Sequence, residues 1–280
     1  MSNEKSPVIE TAKKYYDSHD AHTFYHTVWG GEEHHLGIYR TPEDSVYEAS
    51  RRIIGHMAHY SRNIEGEDAT VLDLGSGMGG TARYLAKTYA CKVVGLNLSE
   101  AENELHRKKN REQELEHSIE VVDGNFENVP YPDASFEVTW SQDAILHSPD
   151  RKRVLSEATR VLKKGGELIF TDPMQTEDAY EEFLDPILKR IHLESLATPR
   201  FYMDTARELG LEFVAFENLT QQLTNHYAKI LEETEAREKE LKDKGVSQEY
   251  LEHMKDGLRN WVLGGQYGHL AWGIFCFRKP

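Results

Sequence analysis

The decamer VLDLGSGMGG, Val71 to Gly80, constrains the fold of this chain more than any other stretch. Its apolar run closes on Asp73-Leu74 and reads as a buried parallel strand, hydrophobic because both faces of such a strand are covered. Gly75 and Gly77 follow, where the missing Cβ permits tight dihedrals and lets a ligand approach the backbone. Thr81 to Lys87 (TARYLAK) then supplies good helix formers, with Ala82, Leu85 and Ala86 on one face. Strand, glycine turn and helix N-terminus in that order make a cradle for a nucleotide-like ligand, because the first N–H groups of a helix point outward unpaired.

Which nucleotide it suits is decided by one side chain. Gly75, Gly77 and Gly80 satisfy G-x-G-x-x-G, the dinucleotide fingerprint, which alone is a weak signal. Asp73 points elsewhere. A carboxylate at the strand's end, under the turn, attracts the ammonium of an amino-acid moiety and repels a pyrophosphate. With that carboxylate the stretch resembles motif I of the class I S-adenosylmethionine-dependent methyltransferases. A nicotinamide-dependent oxidoreductase and an ordinary glycine turn in an α/β core are the competing readings.

Charge and cysteine usage narrow the partners. The formal charge of −15, from 33 Lys and Arg against 48 Asp and Glu, disfavours nucleic acid and anionic membrane, since both bind basic surfaces. No stretch is long and apolar enough to span a bilayer, and MSNEKSPVIE carries no apolar signal region. Cys91 and Cys276 fall in strand-like settings and suggest neither a disulfide framework nor a metal site, so a reducing cytoplasm is the expected compartment.

Residues 1–66 are expected to form an N-terminal helical lid. Ser6 to Tyr16 and Pro42 to Tyr60 are helix-like by apolar spacing, and Phe24 to Tyr39 is too aromatic for a solvated linker. His19, His22 and His26 recur at helical spacing, but no Cys or acidic partner completes a ligand pattern, so no metal is expected. Residues 67–218 alternate regularly, with strands expected at Lys92–Leu96, Ile119–Asp123, Phe136–Trp140, Glu167–Thr171 and Leu211–Phe216 after the first. Ser99 opens a charged helix to Glu114. A helix from Asp150 to Leu162 is expected to end on Lys163-Lys164-Gly165-Gly166, basic residues and then glycine, as dipole and C-cap favour. Thr176 to Leu196 and Phe201 to Leu209 read as further helices. Residues 219–263 read as a helical insertion, with the run EETEAREKELKDKG as a solvated face and Ser247 opening a second helix. Within 264–280, His269 to Phe277 is the last core strand, antiparallel to its predecessor.

This succession resembles the class I methyltransferase fold: α/β, a Rossmann-like seven-stranded sheet with an N-terminal helical lid and a helical insertion between the last two strands. The resemblance implies S-adenosylmethionine as cofactor, with Asp73, Gly75, Ser76 and Gly77 at its motif I. Past the second strand, Asn97 and Leu98 stand where the ribose hydroxyls are held. The usual residue there is acidic, but an asparagine both donates and accepts. Asp123, Gly124, Asn125 and Phe126 match the adenine contact, a carboxylate for the exocyclic amine and an aromatic to stack. Ser141 and Gln142 follow the fourth strand.

At finer resolution WGGEEHHLGIY, WSQDAILHS, FTDPMQT and AWGIF resemble the sarcosine/dimethylglycine N-methyltransferases of glycine betaine synthesis, along nearly the whole chain. The resemblance implies methyl transfer to the nitrogen of dimethylglycine, with sarcosine a second acceptor. Glycine is disfavoured, since glycine-preferring relatives are expected to differ around Pro173-Met174. WSQDAILHS also resembles phosphoethanolamine methyltransferases, whose similar string carries a histidine partnered by a lid tyrosine. Those positions here are His147 and Tyr25, and the implied chemistry is a proton relay across the substrate, with Asp143 favouring the amine cation. The competing reading makes His147 a backbone-satisfied helix residue and Tyr25 lid packing.

A methylated amine calls for aromatic surfaces, and Trp29, Tyr25, Trp140 and Tyr202 are the candidates. Pro173 and Met174, after the fifth strand, stand where a substrate wall belongs. Arg200, or lid backbone amides near Gly30 and Gly31, are the candidate carboxylate donors. Other small amines such as phosphoethanolamine, lipids, and a cofactor-binding module without catalysis stay open as readings. So do monomer and homodimer.

Overall fold

The computed structural model describes residues 19–29 and 31–280. The expected helix from Ser6 to Tyr16, and Gly30, lie outside them. The main sheet contains β1 (Thr70–Leu74), β2 (Lys92–Asn97), β3 (Ile119–Asp123), β4 (Phe136–Gln142) and β5 (Leu162–Thr171), all parallel. A short β6 (Met174–Gln175) follows, then β7 (Glu212–Asn218), β8 (Leu270–Ala271) and β9 (Gly273–Arg278). The seven-stranded order is β3-β2-β1-β4-β5-β9-β7, with β9 antiparallel to both neighbours, while β6 and β8 pair separately. Successive connections run outward in opposite directions from the β1–β4 pair, which opens a crevice at the carboxyl ends of those strands.

The sequence of β1 explains its central place. Its side chains alternate between faces, so Val71 packs into one apolar core and Leu72 and Leu74 into the other. Asp73 shares the face of Val71 and is carried inward with it. Register aligns Asp73 with Gly95 of β2 and Trp140 of β4.

Helices α1 (His19–Val28) and α2 (Val46–Ala58) precede β1, and α3 (Gly80–Tyr89), α4 (Glu100–Glu112), α5 (Arg151–Val161), α6 (Glu181–Ile191) and α7 (Pro199–Glu208) connect the strands. Between β7 and β8 come α8 (Thr220–Ala236), α9 (Glu238–Asp243) and α10 (Gln248–Gln266). Ser99 and Ser247 accept from the N–H groups of Glu102 and Tyr250, as their positions predict. Helix α10 packs on α8 and α6, and α1 on α8 and α9. Trp261 stacks on Tyr227 at 4.6 Å, and Ser247 Oγ donates to Asp20 of α1 at 2.6 Å. None of the described helices is long and apolar enough to cross a membrane.

Four expectations need correction. Lys163 to Gly166 do not cap α5: Leu162 is already extended, and residues 163–166 bulge between the Phe136–Leu162 and Val138–Glu167 pairs. The basic cap comes from Lys279, whose Nζ donates to the carbonyls of Thr159 and Leu162 at 2.9 and 2.8 Å. The helix expected over Thr176–Leu196 is only α6: at its start Thr176 N–H is taken by the His269 carbonyl beyond the β6–β8 ladder, and at its end His192 turns left-handed. The charge run is amphipathic rather than wholly solvated, since Thr234 and Leu241 are buried within it. His269–Phe277 is two strands, broken at Trp272.

Candidate active site

A cavity of about 220 Å³ opens at the carboxyl ends of β1 to β4. The glycine turn shapes its floor. Gly75 has φ +80° and donates its N–H to the Leu96 carbonyl at 2.8 Å, and a Cβ there would lie 2.4 Å from that of Ala144. Asp73 is 2% exposed, and its Oδ2 has no hydrogen-bond partner among the described residues. Burial pushes its carboxyl up to about 7. Ser76 Oγ and the Gln142 amide nitrogen also line this cavity without a partner among the described residues. A buried polar atom left unpaired costs about 1–3 kcal/mol, so three along one cavity mark a polar ligand. They fit the methionine end of S-adenosylmethionine, with Asp73 opposite its ammonium.

The residues expected at the ribose and adenine divide. Asn97 and Leu98 line the cavity, and Asn97 Nδ2 donates to Glu102 Oε2 at 3.0 Å. The carboxylate missing at Asn97 is thus supplied from the first turn of α4. The sequence reading missed Glu102, although Ser99-x-x-Glu102 is a recognisable helix-start pattern. Gly124, Asn125 and Phe126 line the cavity, but Asp123 does not. Hydrogen bonds from Asn103 at 2.7 Å and Arg107 at 2.5 Å hold the Asp123 carboxyl below its usual range and turn it to the α4 side. Ser141 is also outside the cavity, donating to the Leu74 carbonyl at 2.8 Å.

The aromatic segment before α2 contributes Glu32 to His35 to the wall. Burial alone would raise the Glu32 carboxyl, but Lys109 at 2.7 Å and Arg83 at 2.6 Å prevail and hold it low. Further along, Gly37 N–H donates to His226 Nδ1 at 3.1 Å, and Tyr39 N–H to Gln222 Oε1 at 2.8 Å. This segment is therefore fastened to α3 and α4 at one end and to α8 at the other.

A second cavity, of about 70 Å³, shares His34, Asp143 and His147 with the first. Asp143 is held by three segments. Its N–H donates to the Thr171 carbonyl at 3.0 Å, Oδ2 accepts from Leu36 N–H at 2.7 Å, and Oδ1 accepts from Trp272 Nε1 at 2.8 Å. Its φ of +52° is left-handed, a conformation that costs a non-glycine residue roughly 1–2 kcal/mol and persists where surrounding contacts enforce it. Burial raises its carboxyl, against the hydrogen bonds from Leu36 and Trp272.

His147 ends a 3₁₀ turn, Ile145–His147, which Asp172 pins by accepting the Leu146 N–H at 3.0 Å. Burial, then the Arg151 cation, push the imidazole down to about 4, so it is neutral near pH 7. Tyr25 of α1 and Trp29 just after it line the same cavity, their rings 5.0 Å apart, with Tyr25 also 5.0 Å from His34. Pro173 joins them.

The remaining candidate residues fall elsewhere. Tyr202 is wholly buried behind the site, donating to Asp172 Oδ2 at 2.6 Å, and so supports the turn rather than facing a substrate. Trp140 is also buried, donating to Gln142 Oε1 at 3.0 Å. Met174 is in the core under β6. Arg200 lies on the surface of α7, 4.0 Å from Glu177, and Gly31 lines neither cavity. Neither of these candidate carboxylate donors reaches the smaller cavity, which is closed instead by α6, α8 and α10. Arg190, Tyr227 and Trp261 reach it and were not singled out. Among the described residues, no three His, Cys, Asp or Glu side chains gather as metal ligands.

Comparison with known proteins agrees with this geometry. The methyltransferase domain family matches residues 72–170. A sarcosine/dimethylglycine N-methyltransferase of Halorhodospira halochloris is 55% identical over 97% of this chain and 96% of its own. Its counterpart from Aphanothece halophytica is 48% identical over 98% of both. Among solved structures, one from Galdieria sulphuraria, assigned as a sarcosine dimethylglycine methyltransferase, has a TM-score of 0.88 at 36% identity, over 95% of this chain and 98% of that one. The chain therefore belongs to the sarcosine/dimethylglycine N-methyltransferase family of class I S-adenosylmethionine-dependent methyltransferases.

Proposed function

We propose that this protein methylates the nitrogen of sarcosine and dimethylglycine, the second transfer giving glycine betaine. The observation that carries the reading is the junction of the two cavities at Asp143 and His147, where an amine in the smaller chamber meets the cofactor cradle. S-adenosylmethionine supplies an electrophilic methyl group on a sulfonium. Asp73, Ser76 and Gln142 would hold its methionine end, Asn97 and Glu102 the ribose, and Leu98 with Gly124 to Phe126 the base.

The chain's own contribution is alignment, desolvation and proton handling. Asp143 attracts the substrate ammonium to the junction. The neutral imidazole of His147 accepts the ammonium proton, with the Tyr25 hydroxyl in the same cavity to pass it on, and this frees the lone pair. Burial makes His147 a weak base, suited to passing a proton rather than storing it. The rings of Tyr25 and Trp29 face the growing methyl cluster and stabilise the quaternary cation. Both cysteines are free and buried, in keeping with a cytoplasmic home.

The test is a substrate panel read by mass spectrometry, containing glycine, sarcosine, dimethylglycine and phosphoethanolamine. Sarcosine and dimethylglycine are expected to gain methyl groups. No transfer to either, with transfer to another amine, defeats the reading.

A further inference from the structure

The proposed acceptors carry a carboxylate, and the surface position of Arg200 removes it as the partner. We propose that Arg190, with the indole N–H groups of Trp29 and Trp261, is the receptor for that carboxylate. This inference rests on the proposed reaction.

Arg190 stands in the last turn of α6, is 6% exposed, and lines the smaller cavity. Its Nη2 lies 2.8 Å from the Met254 sulfur, a weak acceptor. Helix α10 makes room for it. A Cβ on Gly257 would lie 2.0 Å from Arg190 Cδ, so glycine is what lets the guanidinium stem pass. Trp29 and Trp261 are 4% and 1% exposed, line the same cavity, and have no partner for Nε1 among the described residues.

The two indole N–H groups lack an acceptor among the described residues, and all three groups only donate, so a ligand that only accepts suits them. The cavity also meets α6 at its carboxyl end, where the helix dipole repels anions, so the guanidinium supplies the attraction. The same chamber is lined by the Asp143 carboxylate and neutral His147, which it shares with the larger cavity. A cation and a carboxylate in one mostly aromatic lining suit a zwitterion with its amine toward the cofactor cradle.

The test compares dimethylglycine with N,N-dimethylethanolamine, which lacks the carboxylate, on the intact chain and on Arg190→Met. For dimethylglycine, kcat/KM is expected to fall at least about 100-fold, as when one partner of a buried hydrogen-bonded charge pair is truncated. For dimethylethanolamine it is expected to stay within about threefold, because no uniform binding is lost. S-adenosylhomocysteine affinity is expected to be unchanged. A retained preference for dimethylglycine in a variant that binds S-adenosylhomocysteine overturns the inference and leaves the reaction standing. If Arg190→Met loses that binding, Trp261→Phe decides, since it removes the N–H and keeps the ring. There a KM for dimethylglycine raised about tenfold with kcat held supports the receptor, and an unchanged KM overturns it. A wild-type protein that methylates no dimethylglycine overturns both claims.

Discussion

The two cavities are built by different rules. The larger is assembled from successive strand–helix connections, each contributing a short run: 73–78, 97–102, 124–127, 142–144. The smaller draws one to three residues at a time from α1 and the segment after it, the turn after β4, Pro173, and the ends or faces of α6, α8 and α10. A cradle made of local turns carries its chemistry in contiguous motifs. A chamber made where distant helices converge carries it in residues that look ordinary where they stand in the chain.

The strongest test of that division is Asp143, which lines both. Asp143→Ala removes the acceptor of Leu36 N–H and of Trp272 Nε1, and kcat/KM is expected to fall at least about 1000-fold, on the order of 4 kcal/mol. A loss confined to the KM for dimethylglycine would assign it to the smaller cavity alone. Asp73→Asn should separate the two more cleanly. The KM for S-adenosylmethionine is expected to rise about 100-fold, as for loss of a buried charge partner, with the KM for dimethylglycine little changed. Tyr25→Phe and His147→Ala belong to the smaller chamber, and each should cut kcat at least about tenfold, roughly 1.4 kcal/mol of barrier. Near-wild-type turnover in both removes the relay.

Acidity distinguishes the cavities too. The carboxyl of Asp73 is raised to about 7, so it must lose a proton to meet the cofactor's ammonium. Calorimetry should find S-adenosylhomocysteine affinity falling by up to about tenfold per unit below pH 7 in the wild type, and flat over that range in Asp73→Asn. The sign for the unliganded protein is opposite. A raised carboxyl contributes stability below its ordinary value near 4 and loses it as pH rises through 7. The smallest expected effect is at Glu102. Glu102→Gln keeps a partner for Asn97, and should raise the KM for S-adenosylmethionine only about fivefold, as for one charge-assisted hydrogen bond weakened to a neutral one. No change there would return the ribose to Asn97 alone.

Legibility followed the same boundary. Asp73 and the glycine turn were readable because strand, turn and helix are adjacent in sequence, and the sheet was readable from alternating elements. Gln142, Asp143 and His147 fell within one string. Glu102 was hidden by a charged helix whose exposed and pocket-facing carboxylates look alike. Arg190 was hidden more deeply. A basic residue in the last turn of a helix is ordinarily a dipole complement, and nothing near it in sequence says that Gly257 leaves space for its stem. Arg200 was the more visible arginine because it lies beside the aromatic Phe201-Tyr202 pair, yet α7 turns it to solvent. The break at Trp272 was masked by the long apolar run around it, in which Gly273 was the one local sign of an interruption. What breaks it is the competing pairing of Leu270-Ala271 with β6.

That break gives the enzyme a definite birth order. Trp272 secures Asp143 from 129 residues further along the chain. A nascent chain emerging from the ribosome owns its whole cofactor cradle while the clasp on its acceptor site is still unmade. The acceptor site is therefore complete only when the last strand slots between β5 and β7.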